Sequence, residues 1–269
     1  MLRFSSLASG STGNATLIEA RSAVHGRVTR VLVDCGLPLR RLAAALAQRG
    51  CMPADLDAVF VTHEHSDHLG GVMALHRRHG TAVWTSQGTW SAATRRADGT
   101  AQVAAANVAR DGEPIAIGAL QLLPFAVPHD AVEPLQLVCR MGTASLGIVS
   151  DLGEPTDAVA RALQGCDALL LECNHDRSML DGGPYPAWLK RRIGGARGHL
   201  ANEQSAALLA ACRHDGLRHV VAAHLSRHNN LPSLALSALR SALPAASGRF
   251  DSTLHVASGD AGCGWIDVA

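Results

Sequence analysis

The chain has 269 residues, of which 47% are hydrophobic and 17% charged, with a formal net charge of +1. That length suffices for a sizeable buried core, and the near-neutral charge lacks the strongly basic footprint usual for nucleic-acid binders. No apolar run approaches the ~20 residues needed to span a bilayer, and the N-terminus MLRFSSLASG has no secretory h-region, so a cytoplasmic protein with no membrane partner is expected.

In chain order, residues 2–8 and 14–20 read as two strands joined by the small-residue turn SGSTGN (9–14). VTRVLVDCG (28–36) is a β-branched run closed by Gly36. LPLRRLAAALAQRG (37–50) has helical apolar spacing at Leu39, Leu42, Ala43 and Leu46, with Gly50 as its stop. DAVFVTH (57–63) is a short buried strand leading into a polar loop, then a helix from about Leu69 to His79, and AVWTS (82–86) is a strand. Strands are expected near 102–108, at 114–125 and 134–141, and at ASLGIVSD (144–151). A helix at 155–164 and the strand DALLLECN (167–174) follow. ANEQSAALLAACRHDG (201–216) reads as a helix capped by Asn202, with Glu203 favourable in its first turn. RHVVAAHLS (218–226) is a strand, a helix follows Pro232, and short strands end the chain at 253–258 and 263–268. With no long linker and no repeat, residues 1–269 are expected to form a single α/β domain of two facing sheets with helices outside.

The seven cysteines are odd in number, irregular in spacing and without a CxxC pair, which fits reduced thiols packed as small apolar groups. Lys190 is the one lysine among 24 basic residues, so the rest are arginine, the better bidentate phosphate ligand. Aromatic residues are too few, at 3%, for an extended base-stacking platform.

The dominant signal is THEHSDHLGG (62–71), a His-x-His-x-Asp-His cluster placed after a strand. Imidazole and carboxylate ligands together suit zinc, manganese or ferrous iron. Alternate residues of a tight loop point the same way, so His63 and His65 can bind one ion while Asp67 and His68 turn toward a second. Gly70 and Gly71 leave room for the turn into the helix. Three further candidates close apolar strands: His129 in FAVPHDAVEP, Asp151 in GIVSD and His224 in VVAAH, with His228 a weaker alternative to His224. The expected set is His63, His65 and His129 on one ion, Asp67, His68 and His224 on the other, and Asp151 bridging. Asp67 belongs to the catalytic set as well.

This loop, followed in order by His129, Asp151 and His224, resembles the metallo-β-lactamase fold superfamily, a resemblance spanning nearly the whole chain. It implies a four-layer αββα sandwich. Asp34 in LVDCG matches the superfamily's early aspartate, which implies a residue that orients a metal ligand. ASGSTGNAT (8–16), ECNHD (172–176), GPYPAWLKRRIGGARGHLANE (183–203) and HLSRHNNLP (224–232) are similar to the YycJ/WalJ-like branch. The branch implies a DNA exonuclease acting from the 5′ end. Ala201 stands where the branch usually has serine, and Arg227-His228 where an acidic residue is common.

Two divalent ions about 3.5–4 Å apart would hold a bridging hydroxide and stabilise attacking and leaving oxygens, which suits phosphodiester hydrolysis. His199 in RGHLAN is the candidate acid for the leaving group, with His175 the alternative. The glycine-rich 9–14 turn is a candidate phosphate nest, to which Ser11 and Asn14 add side-chain hydrogen bonds. Asn174 is a further substrate-side polar residue. Lys190, Arg191 and Arg197 form the densest basic segment, read as backbone-phosphate contacts, and Tyr185, the one tyrosine, as a stacking partner for a terminal base. Hydrolysis of a small thioester or lactone is the competing reading, because the same nucleophile serves it.

Overall fold

The computed structural model describes residues 1–21, 26–96, 106–243 and 253–268. Its frame is two seven-stranded sheets. The first is built from β1 (Leu2–Ala8), β2 (Ala15–Arg21), β3 (Val28–Val33), β4 (Ala58–Phe60), β5 (Ala82–Thr85), β6 (Asn107–Val108) and β14 (Ile266–Asp267), ordered β14-β1-β2-β3-β4-β5-β6. The second contains β7 (Ile115–Ile117), β8 (Leu120–Ala126), β9 (Leu135–Met141), β10 (Ala144–Val149), β11 (Ala168–Glu172), β12 (His219–Ala223) and β13 (Thr253–Val256), ordered β13-β12-β11-β10-β9-β8-β7.

Period-two alternation puts one set of side chains between the sheets and the other under helices. Phe4, Ile18, Val31 and Phe60 meet Leu122, Leu137, Ile148 and Leu170 in the inter-sheet core. On the outer face of the first sheet, Leu17, Leu32 and Val59 pack with Leu42 and Leu46 of α1 (Leu39–Ala47) and Leu75 of α3 (Val72–His79). On the outer face of the second, Leu169, Leu171 and Val220 pack with α5 (Asp157–Leu163), α8 (Asn202–Cys212) and α9 (Pro232–Ala242). These layers are helix, sheet, sheet, helix, the αββα sandwich of the metallo-β-lactamase fold. Among the described residues no helix is long and apolar enough to cross a membrane, and all seven cysteines are free.

Several elements differ from the pattern reading. The helix expected from Leu69 starts earlier and breaks into α2 (Ser66–Leu69) and α3. The break lies at Gly71, where a Cβ would overlap the Leu37 carbonyl. The strand expected at 114–125 is a hairpin, turned at Gly118 with φ +54°. Of the strand expected near 102–108, residues 102–105 lie outside the described residues and Asn107–Val108 forms β6. Asn202 is not the cap of α8: Ala201 holds that position, and the Asn202 amide instead makes a reciprocal pair with Asn230 (2.9 and 2.8 Å). Three short helices lack a periodic apolar stripe and escaped the reading: α4 (Gln87–Arg96), α6 (Arg177–Gly182) and α7 (Ala187–Ile193). The signals available were caps, since Ser86 Oγ accepts from Thr89 N–H and the Asp176 carboxylate from Met179 N–H.

What positions the site is strand direction. β3, β4 and β5 run parallel, as do β10, β11 and β12. Their C-terminal ends carry Asp34, His63, Asp151, Glu172 and His224, so both sheets deliver ligands to one edge of the sandwich.

Far from that edge, the buried Glu19 carboxylate takes Arg3 at 2.6 Å and Arg30 at 2.9 Å across adjacent strands. Removing it leaves two cations against a packed face. Glu19→Ala is expected to cost about 2–3 kcal/mol, less than the ~3–5 of a fully buried pair because the arginines are about a fifth to a quarter exposed. The shift of the urea unfolding midpoint measures it.

Candidate metal centre

The loop after β4 is pinned before any ligand is counted. Asp34, at the end of β3 in the left-handed region (φ +61°), accepts from Thr62 N–H (2.8 Å) and Thr62 Oγ–H (3.0 Å). Its other oxygen lies 2.8 Å from His68 Nδ1. Beneath the loop, Gly36 abuts Asp67, whose carbonyl accepts from Asn14 N–H at 2.7 Å. The 9–14 turn therefore braces the loop. Asn14 Oδ1 accepts from Gly10 N–H (2.8 Å) and Asn14 Nδ2 donates to the Asp67 carboxylate (3.2 Å), while Ser11 faces the cavity above.

Ring protons follow from partners that can only accept. His68 Nδ1 faces the Asp34 carboxylate, His129 Nδ1 the Gly198 carbonyl (2.9 Å), and His224 Nδ1 both Asp151 Oδ1 (3.1 Å) and Glu172 Oε1 (3.2 Å). The Thr62 hydroxyl already donates to Asp34, so His63 Nδ1 donates to it at 3.0 Å. In its neutral form each ring is thereby left with Nε2 as the acceptor atom, and at His68 the Asn14 amide lies 2.9 Å from it. His63 Nε2 sits 3.0 Å from His65 Nδ1, which is 3.4 Å from His129 Nε2. His68 Nε2 is 2.8 Å from Asp151 Oδ2, and Asp67 Oδ2 is 3.4 Å from His68 Nε2 and 3.6 Å from His224 Nε2.

Acceptors at these distances repel unless protons or cations lie between them. Asp151 Oδ2 and His224 Nε2 are buried and satisfy no hydrogen bond. Four candidate ligand groups converge: His63, His65 and His129; Asp67, His68 and His224; His63, His68 and Asp151, which draws one imidazole from each of the first two; and Asp151, Glu172, His199 and His224. Imidazole nitrogens and carboxylate oxygens in such groups suit metal binding. Without ions, burial alone would lower the basicity of His68 and His224, but Asp34 and Asp151 at His68, and Asp151 with Asp67 and Glu172 at His224, outweigh it and raise both pKa values well above the imidazole range. Burial and neighbouring imidazoles push His63 down. Burial disfavours the Asp67 anion, yet contacts from His224 and His68 hold it far below the carboxylate range.

One functional candidate was absent from the sequence reading. Glu172, fully buried at the end of β11, holds His199 Nδ1 (2.7 Å) and His224 Nδ1 with one oxygen and accepts from Leu152 and Leu200 N–H with the other. Its signal was the one used for Asp151, a carboxylate closing an apolar strand. Burial works against a charged His199, but Glu172 and Asp151 raise its pKa to about 9.

A cavity of about 380 Å³ opens over the ligands, lined among others by Ser11, Asn174, Tyr185, Arg192 and His199. His175, Lys190 and Arg191 line a different cavity. Arg197 donates to the His129 carbonyl (3.2 Å), behind that ligand, and His228 is exposed beside Tyr185. Arg192, within the basic segment but not singled out, reaches from α7 to Asp130 (2.6 Å), whose other oxygen is 3.4 Å from His129 Nε2.

A family model described as a β-lactamase superfamily domain matches residues 29–225. The exodeoxyribonuclease WalJ of Streptococcus pneumoniae is 33% identical over 87% of this chain and 85% of its own length. The exodeoxyribonuclease YycJ of Bacillus anthracis is 34% identical over 87% and 86%. Among solved structures, the metallo-β-lactamase fold protein YhfI of Bacillus subtilis superposes with a TM-score of 0.70 at 16% identity, covering 98% of each chain, a likeness of fold alone.

Metal binding to such a set is folding free energy. A hundredfold excess of metal over its Kd adds about 2.7 kcal/mol, expected to raise Tm by about 5–10 °C over chelated protein, read by calorimetry. Gly36→Ala would drive a methyl into the Asp67 carbonyl. It is expected to reduce bound metal below one ion per chain by elemental analysis, and full occupancy would show that the loop tolerates displacement.

Proposed function

Because the chain belongs to the β-lactamase superfamily and has the fold of its metal-dependent hydrolases, we propose that it is a dinuclear phosphodiesterase that removes nucleotides from DNA, working from the 5′ end. The observation that carries this is the pairing of a two-ion ligand set with a half-exposed arginine, Arg192, and an acid-bearing imidazole, His199, around one cavity. The names of the two exodeoxyribonuclease relatives support DNA as the substrate. A cytoplasmic setting accords with the unpaired thiols.

When bound, the two ions supply an acidified water and positive charge for the phosphoryl oxygens. The protein's own groups do the rest. Asp34, Thr62, Gly198 and Glu172 each occupy the rear nitrogen or proton of a ligand, which fixes ring orientation. His199 has its Nδ1 held by Glu172, leaving Nε2–H as the proton for the departing oxygen. The Glu172 carboxylate at Nδ1 favours the protonated ring. Arg192 offers the guanidinium hydrogens that Asp130 does not use, and Ser11 and Asn174 supply neutral polar contacts. Tyr185 forms a wall on which a terminal base can stack.

The test is an activity panel with zinc- or manganese-loaded protein on 5′-phosphorylated duplex, single-stranded DNA, RNA, and thioester and lactone substrates. Release of mononucleotides from DNA ends is expected, and turnover of thioesters or lactones alone would sink the proposal. His199→Ala is expected to lower kcat by about 10²–10⁴ with both metals retained, and an unchanged rate would remove His199 from the reaction.

A further inference from the structure

Helix α7 is a partition. Leu189, Arg192 and Ile193 line the metal cavity. Lys190, Arg191 and Gly194 line a second cavity of about 420 Å³, closed by His175, Arg177, Leu180 and Asp181. Three permanent cations therefore share this space with one carboxylate. Lys190 Nζ is tied to the Asp181 carbonyl (2.6 Å), and Arg177 pairs with Glu203 outside the lining. Arg191 has no ion pair among the described residues.

The second observation is His175. Its residue is 1% exposed, and its Nδ1 has no hydrogen-bond partner. Its Nε2 edge lies beside Gly194, and both line the cavity. A row of solvated cations needs no imidazole sealed beneath it. A neutral imidazole carries one N–H to donate; with no acceptor at the buried Nδ1, that proton falls on Nε2, the edge beside the cavity, where it can donate to a ligand.

We propose that this cavity is a second phosphate site, taking a backbone phosphate of the substrate strand two or three nucleotides from the bond that is cut. The inference rests on the nuclease reading. A helix with its side chains is about 10–12 Å across, and a stacked strand advances about 3.4 Å per nucleotide, so three steps carry a strand over α7 from one cavity to the other. Arg191 and Arg177 supply charge and His175 a hydrogen bond. Arg192 on one face and Arg191 on the other then grip successive parts of one strand.

The test uses full-length, metal-loaded protein and 5′-phosphorylated oligothymidylates of two and eight nucleotides. The short substrate ends before the second cavity, so the wild type is expected to favour the longer one in kcat/KM. Arg191→Ala and Arg177→Ala are each expected to shrink that preference at least tenfold, through the KM of the octamer, and to reduce the salt slope of its binding by about one. Arg191→Lys should recover part of the preference. A length preference unchanged within twofold in the alanine variants overturns the second site while leaving the nuclease reading intact. A wild type that cleaves neither oligonucleotide overturns both.

Discussion

The centre of this protein contains more acceptors than protons. Imidazole lone pairs and carboxylate oxygens from both sheets are packed into groups whose atoms lie within 4.8 Å of one another, and Asp151 Oδ2 and His224 Nε2 find no hydrogen-bond partner among them. Such a cluster is relieved by protons on His68 and His224 or by cations, and its donor set suits metal binding. The surrounding structure follows from that constraint. Buried acceptors behind each ring commit its proton to the rear, and two non-glycine residues, Asp34 and His224, are held at positive φ to aim their side chains. Left-handed backbone at such residues is unfavourable, and it persists here because tight hydrogen bonds over-determine it, as at His224, whose N–H donates to Ser9 Oγ at 2.7 Å.

The fold divides the labour between edge and cover. The parallel strands are rigid and buried, and their ends carry the ligands. The segment from α6 through α7 has little apolar periodicity and no buried residue in α7, and it carries the aromatic and basic groups, Tyr185 and Arg192, that line the cavity over the cluster. Chemistry thus sits on the stiff part of the molecule and recognition on the part free to vary.

Much of the edge was legible in the sequence, because an apolar strand ending in a ligand is a local pattern. His63, Asp151 and His224 each close such a run, and their convergence needed only the rule that parallel strands present one end. Glu172 has the same signature but sits in a string whose neighbours, Asn174 and His175, drew attention instead. Asn14 and Arg197 illustrate the opposite difficulty. Their types suit phosphate contact, yet one braces Asp67 and the other backs His129, and which way a loop side chain turns depends on distant backbone. The faces of α7 were likewise illegible, since Arg191 and Arg192 are adjacent in sequence and separated only by helical rotation.

The Arg192–Asp130 contact joins these two halves. Asp130 presents one oxygen to the guanidinium and the other to His129 and His65. On the proposed nuclease reading, a polyanion that drew Arg192 away would leave the carboxylate's full negative charge beside His65 and His129 and tighten their hold on a cation bound there. Thermodynamic reciprocity would then run the other way: exchanging that cation for one of different charge density would retune affinity for the polyanion.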